Sequence, residues 1–311
     1  SPTSILKRRS LAITDAPSTY SRATVSESVS ADGVIECSLC DDAELSADSH
    51  TPCEHSSPNA QSNSQLRVLV LFSGRQRPKS LRRSLERLGC CVVTFEVRDD
   101  PQLQDLLRAE VQQQLLKRVA GGEFDAVFLA PPCASFCLAL EPILRSRREP
   151  EGISPVPSEW QSYLSRNNDL VHFSADVCLA AESCGAAWVL ENPASRESGV
   201  AYWEDMRHRC AMWHMPAMLR LVEQTGAATV TFAQCQFSSE YQKYTSLLSS
   251  AAAAPSLRKA FAHAICTCSS HAKVAKGRDE FGESLSAPAA EYSPELCDVL
   301  ASVLVEIGRR A

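Results

Sequence analysis

From Leu66 onward, apolar runs of strand length alternate with stretches of helical spacing, and each run ends in a cluster of Gly, Pro or polar residues. That rhythm confines the chain to few folds. Strands buried on both faces need helices to cover them, and parallel strands need helical crossovers between them. Leu66–Phe72 is apolar except for Arg67 and stops at Ser73-Gly74. Leu at 81, 85 and 88 predicts a helix over Ser80–Leu88, closed by Gly89, and Cys91–Phe95 reads as a second strand. A helix is expected from about Leu103 to Val119, ended by Gly121-Gly122, and then a strand at Ala126–Leu129. After a long polar loop come a helix near Asn168–Ser183 and a strand at Ala187–Leu190. The expected fold is α/β, a parallel sheet with helices on both faces.

In open sheets of this kind, ligands bind outside the carboxyl ends of the strands. The unusual residue clusters all fall there: Phe72-Ser73-Gly74, Glu96, Pro131-Pro132-Cys133 and Glu191-Asn192-Pro193. Taken singly, each tripeptide is also an ordinary turn. In order, on successive strand ends, they mark a site.

These clusters resemble the cofactor, nucleophile and acid motifs of the DNA (cytosine-5) methyltransferases, in their order and approximate spacing. The likeness covers Leu66–Asn192 well and the rest loosely. It is closest to the divergent branch found in phages and retroelement-like polyproteins, in which a stretch like Gln234-Cys235-Gln236-Phe237 precedes a Lys-x-Thr element, here Lys243-Tyr244-Thr245. The resemblance implies a Rossmann-like methyltransferase sheet, S-adenosylmethionine as cofactor, and DNA as partner with the target base rotated out of the duplex. Cys133 would then be the nucleophile, adding as thiolate to cytosine C6, because thiolate is available near neutral pH. Glu191 would hydrogen-bond and protonate N3 as the adduct forms, and Asn192 would orient its loop. The prolines at 131 and 132 restrict the backbone that presents the thiol.

For the cofactor, the resemblance points to Phe72, Ser73 and Gly74, with Pro131 and Pro132 beside them. Glu96, with Asp99 as the alternative, would take the ribose hydroxyls, and Asp105 would contact the adenine. The chain departs from the family in four places. Arg75-Gln76-Arg77-Pro78 follows Phe-Ser-Gly where further glycines are usual, and Ala134 stands where Gln is preferred. The Gln-x-Arg-x-Arg element is absent, leaving Gln234, Gln236 and Lys243 as its nearest substitutes for holding substrate. No target-recognition segment stands out. Two alternatives therefore accompany the DNA enzyme: a catalytically inactive methyltransferase-like module within a mobile-element polyprotein, and an RNA methyltransferase.

Composition supports some of this and bounds the rest. Residues 66–148 carry 14 Lys and Arg against 9 Asp and Glu, although the whole chain has a net charge of −6. The basic surplus thus falls where the chemistry falls, and it reads equally as a solvated helix face. Residues 1–64 are polar, without a helical or strand period, and are expected to be disordered; residues 65–311 are expected to form the domain. A chain opening on Ser rather than Met fits a piece of a longer product. Cys37, Cys40, His50, Cys53 and His55 match no familiar zinc spacing. Cys235, Cys266, Cys268 and His271 are a second metal candidate, weighed against unconnected residues in a hairpin. Many of the 14 cysteines sit inside apolar runs, unlike a secreted disulfide framework. With no signal peptide and no membrane-length apolar stretch, the expectation is an intracellular protein without a membrane partner, nuclear only if DNA is its substrate. Ser293 as N-cap and Pro294 at the first position open a C-terminal helix expected to pack on the sheet.

Overall fold

The computed structural model describes residues 65–137, 140, 142–273 and 288–311. The N-terminal segment 1–64, with Cys37, Cys40, His50, Cys53 and His55, lies outside the described residues. Six strands, β1 (Arg67–Leu71), β2 (Cys91–Phe95), β3 (Ala126–Leu129), β4 (Ala187–Pro193), β5 (Ala228–Ala233) and β6 (Tyr244–Ser249), form one sheet in the order β2-β1-β3-β4-β6-β5. The first four are parallel, as expected. The sheet as a whole is mixed, because β6 runs antiparallel to both β4 and β5. A ten-residue link from β5 to β6 is too short for a helical crossover, so the pair closes antiparallel.

Side chains alternate across the sheet and divide the core in two. Leu69, Leu71, Val127, Leu129, Trp188 and Leu190 face α2 (Ala109–Ala120), α3 (Ser158–Cys184) and α4 (Pro216–Thr225). Val68, Val70, Phe128 and Val189 face α1 (Leu81–Arg87), α5 (Ala254–Phe261) and α6 (Pro294–Gly308). The C-terminal helix begins as expected, with the Ser293 hydroxyl accepting from the Leu296 amide at 3.2 Å. It lies close enough to the sheet that a Cβ on Gly308 would meet Leu66 Cδ1 at 3.2 Å. Among the described residues no helix is long and apolar enough to cross a membrane.

Three boundaries differ from the sequence reading. The helix expected from Leu103 starts at Ala109, because Asp100 and Asp105 turn the chain first. Asp100 accepts the Gln102 and Leu103 amides, and Asp105 accepts the Leu107 amide at 2.9 Å. Helix α3 starts ten residues before Asn168, and in those ten residues only Leu164 and Asn167 are buried, so no apolar stripe announced it. Glu191-Asn192-Pro193 is not a loop but the end of β4. Its residues pair with Leu247, Ser246 and Thr245 of β6, which carries the strand beyond the reach of β3.

The strand order reverses between β1 and β3, since β2 lies outside β1 on one side and β4 outside β3 on the other. At such a switch point the connections diverge to opposite faces and leave a crevice at the carboxyl ends.

Candidate active site at the carboxyl ends of the strands

The loop after β1 is held by β2. The Phe72 and Ser73 amides both donate to the Phe95 carbonyl, at 2.9 and 3.3 Å. Phe72 sits at φ +58° and Gly74 at φ +69°. The left-handed region costs a residue with a side chain about 1–2 kcal/mol, so this turn is strained at Phe72 and relaxed at Gly74. The Gly74 amide donates to Glu96 Oε2 at 2.9 Å, and Glu96 Oε1 accepts from the Arg98 amide at 3.3 Å. Gln104, which nothing in the sequence singles out, accepts the Glu96 amide at 2.8 Å. Glu96 thus joins the first two strand ends. Phe72 is half-buried and leans on the core face of Leu69 and Leu71. Arg77, one of the residues that stand where the family has glycines, pairs with Glu291 at 2.6 Å.

Across the switch point, Pro131 is buried, Pro132 exposed and Cys133 half-buried at the head of a 3-10 turn, Ala134–Phe136. Asn192, 1% exposed, donates through Nδ2 to the Pro131 carbonyl at 3.0 Å and so ties the cysteine loop to β4. Glu191 is 6% exposed; its Oε2 accepts from the Tyr292 hydroxyl at 2.8 Å, and its Oε1 has no partner among the described residues. A buried carboxylate oxygen left without a donor is costly and rare, and where it persists it calls for an occupant or a function. Burial pushes the Cys133 thiol above its ordinary range; the Lys243 ammonium pulls it down, and the Glu191 carboxylate pushes it up again. Cys133, Lys243 and Glu191 therefore share one electrostatic neighbourhood although they come from three segments.

The β5–β6 connection supplies the third wall. Gln234 is buried, its amide donating to the Lys243 carbonyl at 2.9 Å and its Nε2 to Thr245 Oγ1 at 2.9 Å. Lys243 is half-buried. Gln236 is exposed on the same 3-10 turn, apart from these contacts, and Asp105 is engaged in its own turn. Cys235 belongs to a separate cluster with Cys266, Cys268 and His271.

Besides Gln104, two residues here carry no sequence signal. Tyr292 precedes the α6 cap and looks like a loop residue, yet it is the donor to Glu191. Burial and the adjacent Glu191 carboxylate hold its hydroxyl well above the ordinary phenol range. Arg145, 3% exposed, braces the segment after Cys133. Its guanidinium donates to the Pro150 carbonyl at 2.6 Å, Asn168 Oδ1 at 2.7 Å and Ser135 Oγ at 3.1 Å, and lies 4.2 Å from the Phe136 ring centre. Burial pushes it down to about 10, which leaves it a cation at neutral pH. In a polar loop an Arg reads as surface, so no sequence signal marked it.

The arrangement offers a thiol, a buried carboxyl group and an ammonium at the carboxyl end of the sheet, with a glycine turn and a second carboxylate on the neighbouring strand ends. Compared with known families and curated proteins, the chain matches no family model and no curated protein.

Proposed function

We propose that the domain is an S-adenosylmethionine-dependent methyltransferase acting on C5 of cytosine in DNA through a covalent Cys133 adduct. The observation that carries this reading is the sharing of one neighbourhood by Cys133, Lys243 and the unpartnered Oε1 of Glu191, beside the switch point of the sheet. The resemblance of the strand-end motifs adds to it.

The chemistry follows from what each group can do. Cys133 must lose its proton, which the Glu191 carboxylate takes up through solvent, and Lys243 is the cation that favours the thiolate. The sulfur then bonds to C6, the ring electrons shift toward N3, and Glu191, as the acid, gives N3 a proton. C5 becomes nucleophilic. After C5 is methylated, loss of its proton to solvent, return of the N3 proton to Glu191 and expulsion of the sulfur restore the aromatic ring and the thiolate. Tyr292 orients the Glu191 carboxyl group through Oε2, leaving Oε1 for the base. Asn192 keeps the Pro131 backbone, and with it Cys133, in place.

S-adenosylmethionine, when bound, supplies the electrophilic methyl group. The residues fit it: a Cβ on Gly74 would meet nothing within 4 Å, and among the described residues Glu96 Oε1 carries only the long Arg98 contact, leaving acceptor capacity for ribose hydroxyls. One observation favours a second reading, a methyltransferase-like module that does not turn over: burial holds the Cys133 thiol up.

The test is transfer of labelled methyl from S-adenosylmethionine by the full chain, with cytosine-containing duplex DNA and RNA offered in parallel. Label at cytosine C5 of DNA, lost in Cys133→Ser, is the expected result. Label in RNA alone would reassign the substrate, and no label in either would overturn the enzyme reading.

A further inference from the structure

We propose that Cys235, Cys266, Cys268 and His271 together bind one structural zinc ion. They come from two segments, the 3-10 turn after β5 and the irregular stretch that follows α5. One ligand atom from each lies within 4.8 Å of all the others. In tetrahedral zinc with Zn–S of about 2.3 Å and Zn–N of about 2.0 Å, sulfur–sulfur edges are about 3.8 Å and sulfur–nitrogen edges about 3.5 Å. Cys266 Sγ already stands 3.4 Å from His271 Nε2, at the tetrahedral edge, and the other edges, none above 4.8 Å, close to it by about 1.3 Å at most. Three thiolates and an imidazole, with no carboxylate, suit zinc; magnesium and calcium demand oxygen. Gln242 Nε2 donates to Cys266 Sγ at 3.4 Å, the kind of outer contact that steadies a ligating sulfur.

The surroundings also call for a clamp. Residues 262–273 form no helix, and among the described residues they are held by scattered contacts to β5 and the β5–β6 link: the Ala233 amide on the Ala264 carbonyl at 2.7 Å, Gln242 on Cys266, a bridge between Tyr241 and Lys273, and the Lys273 amide and ammonium on Glu240. The apolar cluster beneath is Ala194, Ala201, Ala233 and Tyr244, with Cys235 and Cys266 against it. Such a small cluster buries too little to order the stretch. Zinc would join it to Cys235, next to Gln234, whose amide holds the Lys243 carbonyl. The ion would be a structural staple behind one wall of the crevice, and the claim stands whether or not the domain transfers methyl groups.

The test measures zinc in the full chain, purified reduced and without chelator, then exposed to zinc chloride. Removing Cys37, Cys40 and Cys53 controls for the N-terminal segment; this variant should keep one equivalent of zinc, and adding Cys266→Ser should remove it. Cobalt in place of zinc should show intense thiolate-to-metal charge transfer and tetrahedral bands. Should Cys266→Ser fail to fold, Cys268→His preserves four ligands and should retain the metal with a weaker charge-transfer band. No bound metal, metal unchanged by Cys266→Ser, an unchanged cobalt spectrum in Cys268→His, or a disulfide between two of these cysteines in the protein as isolated would each overturn the proposal.

Discussion

Lys243→Gln and Glu191→Gln should move the Cys133 thiol in opposite directions. The ammonium favours the thiolate and the carboxylate opposes it, on top of a burial effect that both variants leave nearly unchanged. Coulombic attraction between unit charges is about fourfold stronger at an effective dielectric of about 20 than in bulk water, so burial sets how far each charge moves the thiol. Cys133 and Lys243 are half-buried, so each charge acts on the thiol between these two limits. The chain has 14 cysteines, so the assay is alkylation by iodoacetamide across pH, read on the Cys133 peptide by mass spectrometry. The midpoint should rise in Lys243→Gln and fall in Glu191→Gln, with Lys243→Arg near the parent. Shifts in the same direction, or none in either variant with the fold intact by circular dichroism, would refute the shared site.

Asn192→Ala strips the buried Pro131 carbonyl of its donor but also removes an unpartnered Oδ1, so the net loss should be about 1–2 kcal/mol, read as a lower thermal midpoint. Arg145→Met removes three donors' worth of bracing from the segment after Cys133 and should cost about 3 kcal/mol in denaturant unfolding; a loss below about 1 kcal/mol would show that the buried cation is not structural. Burial pushes the Cys210 and Cys297 thiols up to about 11, above the unfolded range. Their contribution is therefore intact below about pH 8.5 and is lost as pH rises toward 11, at up to about 1.4 kcal/mol per pH unit for each thiol. The alkaline fall in thermal midpoint should be shallower in Cys297→Ala than in the parent.

The parallel half of the sheet was legible because β1 and β3 are buried on both faces and read as continuous apolar runs between Gly and Pro punctuation. The antiparallel insertion of β6 was not, since strand direction depends on which neighbour is free to pair, and no local pattern encodes that. The same insertion turned Glu191-Asn192-Pro193 from an expected loop into strand. Helix α2 began late because two Asp side chains offered the backbone turn contacts that compete with a helix. At the site, Cys133, Glu191, Asn192, Gln234 and Lys243 were singled out in the sequence and lie together or on directly linked backbone. Gln236 was singled out with them and is exposed, because the 3-10 turn that buries Gln234 carries it elsewhere. Tyr292 lies 101 residues from Glu191 in the chain, and only the packing of α6 brings them into contact. Such a long-range donor leaves no trace in a motif.

The most direct test of the central claim is covalent trapping. The full chain is incubated with S-adenosylmethionine and duplex DNA carrying 5-fluorocytosine, whose C5 fluorine cannot leave as a proton does. A denaturation-resistant adduct that requires the cofactor, maps to the Cys133 peptide and vanishes in Cys133→Ser is the predicted result. An adduct that survives Cys133→Ser, or none with folded protein on either DNA or the corresponding RNA, would contradict it.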